Sequence, residues 1–223
     1  MRRRNLVATL VAASGIAAIG WAPSPAYAAT VVALWHMDDK GSTMTDSSGN
    51  GLTGHLKNVA VGQPGLLGTS FGWTKKPAYV TVPDSPLLDP GTGPFTVTLH
   101  VNTTVKPPSS VGDYDVIRKG LSTSAGGDYK IEILKNGAAN CLFRGSTGQV
   151  ELSKGPNIVD GTWHTVSCSR SSNTVTLTVD GVAYKKSGSI GNVTNTAALS
   201  IGAKDTRGND QYNGLIDEVS ISN

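Results

Sequence analysis

Carboxylates and thiols are the side chains of this sequence whose spacing could do chemistry, and the most conspicuous pair stands at its end. In GLIDEVSISN (214–223) the adjacent Asp217 and Glu218 interrupt an alternating, strand-like run. A regular strand would put Asp217 on the face of Val219 and Ile221. A lone ionised carboxylate on a core face is costly and is normally paired or given a metal. On the residues alone, a cation, backbone amides and a Lys or Arg are all open as its partner. Glycoside hydrolysis needs two carboxylates about 5 to 9.5 Å apart. The nearest pair on one strand face, Asp128 and Glu132 in GDYKIEIL, would stand roughly 13 Å apart. Glu132 reads as an exposed residue beside Lys130. Four histidines (His36, His55, His100, His164) lie among many serines, none in a nucleophile-elbow context. Catalysis is therefore not expected. Cys141 and Cys168 lack the neighbours that would complete a zinc set. They are expected to form a disulfide across neighbouring strands, with a pair of buried free thiols as the alternative.

These groups need elements to hold them. Short β-branched runs recur along the chain, among them TVVALWHM, AYVTV, FTVTLHV, DVIRKG, YKIEIL, CLFRG, HTVSCSR, TVTLTVDG, LSIG and LIDEVSIS. Turn sequences separate them, including SGNG at 48–51, Asn136-Gly137, Asp160-Gly161 and Asp180-Gly181. TVTLTVDGVAY predicts a hairpin with Val175, Leu177 and Val179 on one face. VKPPSSVGDYD (105–115) reads as a long surface loop. No helical periodicity is sustained after the first 28 residues. The expected fold class is all-β, a two-sheet antiparallel β-sandwich or jelly roll.

The first 28 residues read as a secretory signal peptide: Arg2, Arg3 and Arg4, an apolar run from Leu6 to Ile19, then Ala26-Tyr27-Ala28. A single domain is expected over 29–223, long enough for a sizeable core. Three of the 19 Lys and Arg lie in the leader, leaving 16 against 16 Asp and Glu. The mature chain is thus formally neutral, and a nucleic-acid partner is not expected. No later stretch is long and apolar enough to span a bilayer. The expected product is secreted, extracellular and monomeric.

Five segments in register carry a family resemblance: ALWHMDD…DSSGNGLTGHL, YVTVPDSPLLDPGTGPFTVTLHV, DGTWHTVSCSR, VTLTVDGV and NGLIDEVSI. Together they resemble laminin-G-like domains of the concanavalin A-like lectin/glucanase superfamily, over about Thr30 to Asn223. The resemblance implies a jelly roll with adjacent first and last strands, one concave sheet and, in many members, a structural calcium ion. The positions matching the calcium ligands are Asp38, Asp46, Asn50 and Asp217. Calcium wants six to eight oxygens, which loops rich in Asp, Asn, Ser and Gly supply. The Glu-x-Asp-x-x-Glu strand of the superfamily's glucanases is absent. His164 matches a position beside a buried Trp. Trp35 and Trp163 read as core, leaving Trp73 as the exposed aromatic candidate for stacking on sugar. KDTRGNDQYNG (204–214) separately offers Asp205, Arg207, Asn209 and Asp210 beside Tyr212, or is simply a solvated connection. The expected function is a secreted, non-catalytic module that binds a glycan, with an extracellular protein partner as the alternative and a hydrolase behind both.

Overall fold

The computed structural model describes residues 29–223, and the expected signal peptide lies outside the described residues. In chain order the strands are β1 Val31–Trp35, β2 Thr43–Met44, β3 Gly54–Lys57, β4 Ala60–Pro64, β5 Thr69–Trp73, β6 Tyr79–Val82, β7 Phe95–Asn102 and β8 Asp113–Lys119. There follow β9 Asp128–Leu134, β10 Ala139–Gly145, β11 Gly148–Ser153, β12 His164–Ser171, β13 Thr174–Val179, β14 Val182–Ser187, β15 Leu199–Ile201 and β16 Gly214–Ser222. They form two antiparallel sheets of eight. One runs β14-β13-β12-β7-β16-β5-β4 with β1 also on β16, and the other runs β11-β10-β9-β8-β15-β6-β3-β2. First and last strands are neighbours, Trp35 facing Val219 and Val31 facing Ser222.

Alternation builds the core. Phe95, Val97, Leu99 and Val101 of β7 point inward while Thr96, Thr98, His100 and Asn102 point out. Val166 and Cys168 of β12, and Val175, Leu177 and Val179 of β13, continue the same inner face. From the other sheet Tyr129, Ile131 and Ile133 of β9 and Phe143 of β10 meet them. Phe95 packs against Tyr129 and Phe143 across the gap, with ring centroids 5.1 and 6.5 Å apart. The expected hairpin at Asp180-Gly181 has both residues at positive φ (49° and 81°), the requirement of a type I′ turn.

Cys141 and Cys168 form the expected disulfide, but not across neighbouring strands. Cys141 sits on β10 and Cys168 on β12, strands of opposite sheets. Both occupy inward positions, and their Cα atoms are 5.4 Å apart. Packed sheets ordinarily lie about 10 Å apart, so the two converge at this edge and the bridge staples them through the core.

Other expectations are corrected. Trp73 is fully buried at the end of β5, and Tyr212 is fully buried too. A Cβ added to Gly202 would fall 2.0 Å from Trp73 Nε1, so the indole lies directly on that backbone. Trp163 is only partly buried and outside the core. Glu132 is buried, bonded to Lys130 and to Asn140 Nδ2 at 2.7 Å. The 105–115 loop ends early, because Asp113 to Asp115 already belong to β8.

Candidate functional site

Asp217 escapes the core through a bulge. Along β16, Asp217 pairs with His100 and the next partner is Ser220 with Thr98, so Glu218 and Val219 together oppose Leu99. Glu218 takes the left-handed φ of 48° that the bulge demands. The extra residue resets the alternation. Asp217 joins the outward row of Thr98 and His100, and Val219 and Ile221 remain inward. The bulge also marks a fork: before it β16 pairs with β5, and after it with β1.

The 65–69 loop entering β5 closes over this fork. Asp217 Oδ2 accepts from the amides of Leu66 (2.8 Å) and Leu67 (3.0 Å), and Oδ1 accepts from Glu218 N at 3.0 Å. Asp38 Oδ1 accepts from Thr69 N at 2.6 Å and Thr69 Oγ1 at 2.9 Å. A Cβ on Gly65 would fall 2.9 Å from Asp217 Oδ2, and one on Gly68 would fall 2.6 Å from Asp38 Oδ1. Only glycines let the loop come this close. Burial raises the Asp217 pKa, outweighing the Leu67 and Leu66 amides that oppose it. The exposed Asp38 is lowered, chiefly by the Thr69 amide.

The four expected calcium ligands therefore fall into two pairs. Asp38 and Asp217 share the 65–69 loop. Asp46 instead accepts from the amides of Leu34 (3.1 Å), Ser48 (2.9 Å) and Leu52 (2.9 Å). Asn50 donates to the carbonyls of Val31 and Val32. Asp46 and Asn50 thus brace β1 and share no hydrogen-bond partner with the other two.

Beside the fork the chain after β1 makes a pocket of about 300 Å³, lined by His36, Asp38, Asp39, Thr45 and Ser47. Met37 between them is buried at φ 60°. This left-handed residue is unusual for a side chain of its size, and it turns His36 and Asp38 onto one cavity. Asp39 accepts from Thr45 N (3.0 Å) and Thr45 Oγ1 (2.6 Å). His36 Nδ1 lies 2.9 Å from Glu218 Oε2. No sequence pattern singled out Thr45, Ser47 or the His36–Glu218 pair, since each depends on how the bulge and the Met37 turn place the backbone.

The 204–214 loop is folded on itself. Asp205 accepts from the amides of Arg207 (2.9 Å) and Asn209 (3.3 Å) and from Asn209 Nδ2 (2.8 Å). Arg207 projects into solvent. The Tyr212 hydroxyl donates to the carbonyls of Asn102 and Leu215. An adjoining pocket of about 170 Å³ includes Tyr114, Gln211 and Tyr212. Gln211 is already spent on Ala78 N and Lys75 O, and Tyr114 on Lys106 O. Thr74, Lys76 and Asn213 complete its polar lining.

On the outer face of the second sheet, Asp113, Asp115 and Asp210 bring carboxylate oxygens within 4.8 Å of one another. Cations already hold two of them: Arg118 Nη1 contacts both Asp115 oxygens at 2.9 and 3.0 Å, and Lys204 contacts Asp210 at 2.8 Å. Burial, opposed by Arg118 and reinforced by Glu132, pushes Asp115 up to about 7. Asp128 is tied to Arg144 at 2.6 Å. The Asp128 and Glu132 carboxylates are thus both committed to cationic partners.

A family profile described as the concanavalin A-like lectin/glucanases superfamily, of laminin G type, matches residues 74–223. None of the curated proteins matches the chain. Among solved structures, the binding domain of Paraclostridial Mosquitocidal Protein 1 superposes with a TM-score of 0.69 at 15% identity, over 86% of this chain and 48% of that one. This chain thus spans about half the length of that binding domain. Domain 4 of AbnA, an extracellular arabinanase from Geobacillus stearothermophilus, solved in complex with arabinotriose, gives 0.63 at 17% identity, over 87% and 92%. The binding domain of Botulinum Neurotoxin DC in complex with SialylT gives 0.61 at 13%, over 86% and 47%. At these identities the likeness is one of fold. Among the described residues, no helix is long and apolar enough to cross a membrane.

Proposed function

We propose, from the premise that this chain belongs to the concanavalin A-like lectin/glucanases superfamily, that it is a secreted, non-catalytic module that binds a glycan. The observation that carries the reading is the pocket of His36, Asp38, Asp39, Thr45 and Ser47. Its carboxylates, hydroxyls and imidazole are groups that hydrogen-bond sugar hydroxyls, and its size suits one or two sugar rings. The AbnA domain, solved with arabinotriose, has this fold and supports the same class of ligand. The test is a glycan array read with wild-type protein and with His36→Ala and Asp39→Ala. Loss of retention in both, with unchanged melting, supports the reading; unchanged retention in both removes the site.

Calcium enters this proposal through Asp38 and Asp217 alone. Asp38 Oδ2 and the second lone pair of Asp217 Oδ1 are the acceptors these two carboxylates have left to offer a cation. Asp46 and Asn50 stand outside the set. Melting curves in calcium and in chelator test it: a calcium-dependent rise supports the ion, and superimposable curves discard it.

One observation favours a protein partner instead. Leu66 and Leu67, at the tip of the loop held by Asp217, are 42% and 60% exposed. Leu66→Ser with Leu67→Ser separates the readings, because it removes an aliphatic contact and leaves the polar pocket in place.

A further inference from the structure

We infer that the pocket of His36, Asp38, Asp39, Thr45 and Ser47 selects for glycans without negative charge, neutral or amino sugars, and rejects carboxylated and sulfated ones. The inference rests on the proposed glycan-binding role and specifies its ligand class.

The first ground is how the hydrogen-bonding groups are spent. The Thr45 hydroxyl and amide are both given to Asp39, and the Thr69 hydroxyl and amide at the pocket's edge to Asp38. His36 Nδ1 is engaged with Glu218. In the neutral imidazole Nδ1–H faces the Glu218 carboxylate and the far nitrogen accepts, so among the lining side chains the Ser47 hydroxyl alone is left to donate. Acceptors are in surplus, because each carboxylate oxygen has two lone pairs and Asp38 Oδ2 accepts none of the described hydrogen bonds. A ligand that fits must bring donors, and hydroxyls and ammonium groups are donors. A carboxylate or sulfate brings acceptors only.

Charge is the second ground. Asp38 and Asp39 line the pocket, with Glu218 against His36 and Asp217 across the loop. Among the described residues no Lys or Arg lines it; the neighbouring Lys40 is exposed and outside the lining. A calcium ion at Asp38 and Asp217 would offset two of these four carboxylates and leave the surplus negative. Calcium held by two carboxylates would keep open positions that an anionic group fills, so the selectivity belongs to the metal-free pocket. One uncompensated charge about 4 Å from an anionic sugar, screened to between the bulk-water and protein-surface dielectrics, disfavours it by at least about tenfold, or about 1.4 kcal/mol.

The experiment is an array of neutral gluco-, manno-, galacto- and arabino-oligosaccharides, glucosamine oligomers, oligogalacturonate, and sialylated and sulfated glycans. It is read in calcium and in chelator with wild type and with the double variant Asp38→Asn, Asp39→Asn. Wild type should retain neutral or amino glycans, with anionic counterparts of the same backbone at least about tenfold weaker in chelator. The double variant should narrow that gap. Preferential capture of galacturonate, sialylated or sulfated glycans in chelator would overturn the selectivity and leave the glycan-binding reading standing. Capture of nothing in either buffer would overturn both. Equal discrimination in the double variant would remove these carboxylates as its cause.

Discussion

Asp217→Asn tests how the fork between β5 and β1 is held closed. The carboxylate accepts three backbone N–H bonds, from Leu66, Leu67 and Glu218, and is itself fully buried. An asparagine can turn its one oxygen to Leu66 and Leu67, but its amide nitrogen then faces Glu218 N, donor against donor. Bonds to charged acceptors contribute about 1.5–3 kcal/mol and neutral ones about 0.5–1.5. Part of this is returned, because the asparagine avoids burying a charge. The net loss is about 2–3 kcal/mol. For a domain of this length that lowers the melting temperature by roughly 4–12 °C. Circular-dichroism melting in chelator isolates the amide contribution from any bound cation. Amide exchange provides the local readout, with residues 66 and 67 losing protection in the variant. Asp39→Asn, at a half-buried turn where the remaining amide oxygen still accepts from Thr45, should stay within about 1 kcal/mol of wild type. An Asp217→Asn protein that melts with wild type and keeps residues 66 and 67 protected would refute the clamp.

Non-reducing peptide mapping should return a single Cys141–Cys168 link. Replacing both by alanine should cost about 3–4 kcal/mol for a closed loop of this length, and free thiols in the native protein would sink the assignment. Trp73→Ala should destabilise by about 3–5 kcal/mol, measured by denaturant titration; a melting point near wild type would return Trp73 to the surface. Burial pulls the His164 pKa down, but Asp180 and Asp160 outweigh it and the pKa is raised. Its contribution is therefore full below the unfolded value near 6.5 and is lost as pH rises through the higher folded pKa. The stability difference between wild type and His164→Gln should shrink between pH 6 and 8. A difference independent of pH would contradict the charged pairing.

The strands that carry the core were legible because they alternate without interruption: β7, β12 and β13 need only their own residues to declare an inner face. β4 and β5 were not, since the GQP and SFG of their interiors look like turns, and they become strands by pairing with each other and with β16. Trp73 looked exposed among turn residues and lysines. Its burial depends on Gly202, a contact no local window contains. The disulfide pairing could be read, but not its crossing from sheet to sheet, because short-range patterning says nothing about which strands share a sheet. The site depended most on a single inserted residue. The bulge at Glu218 moves Asp217 from the inner row to the outer one, and nothing in GLIDEVSISN marks it. It arises because β16 must change partners from β5 to β1 at that point. The family resemblance named Asp38 and Asp217 only as expected calcium ligands, and the 65–69 loop that both bond to was not anticipated.

The central claim is that a glycan occupies the pocket formed after β1. An amide chemical-shift titration of the isotope-labelled protein, with the strongest ligand from the array, maps the contact directly. The largest shifts should fall on residues 36–39 and 45–47, with a second group at 65–69, and should vanish in Asp39→Ala. Shifts confined to 204–214 or to the outer face of β8 to β10, or none at saturating glycan, would contradict it.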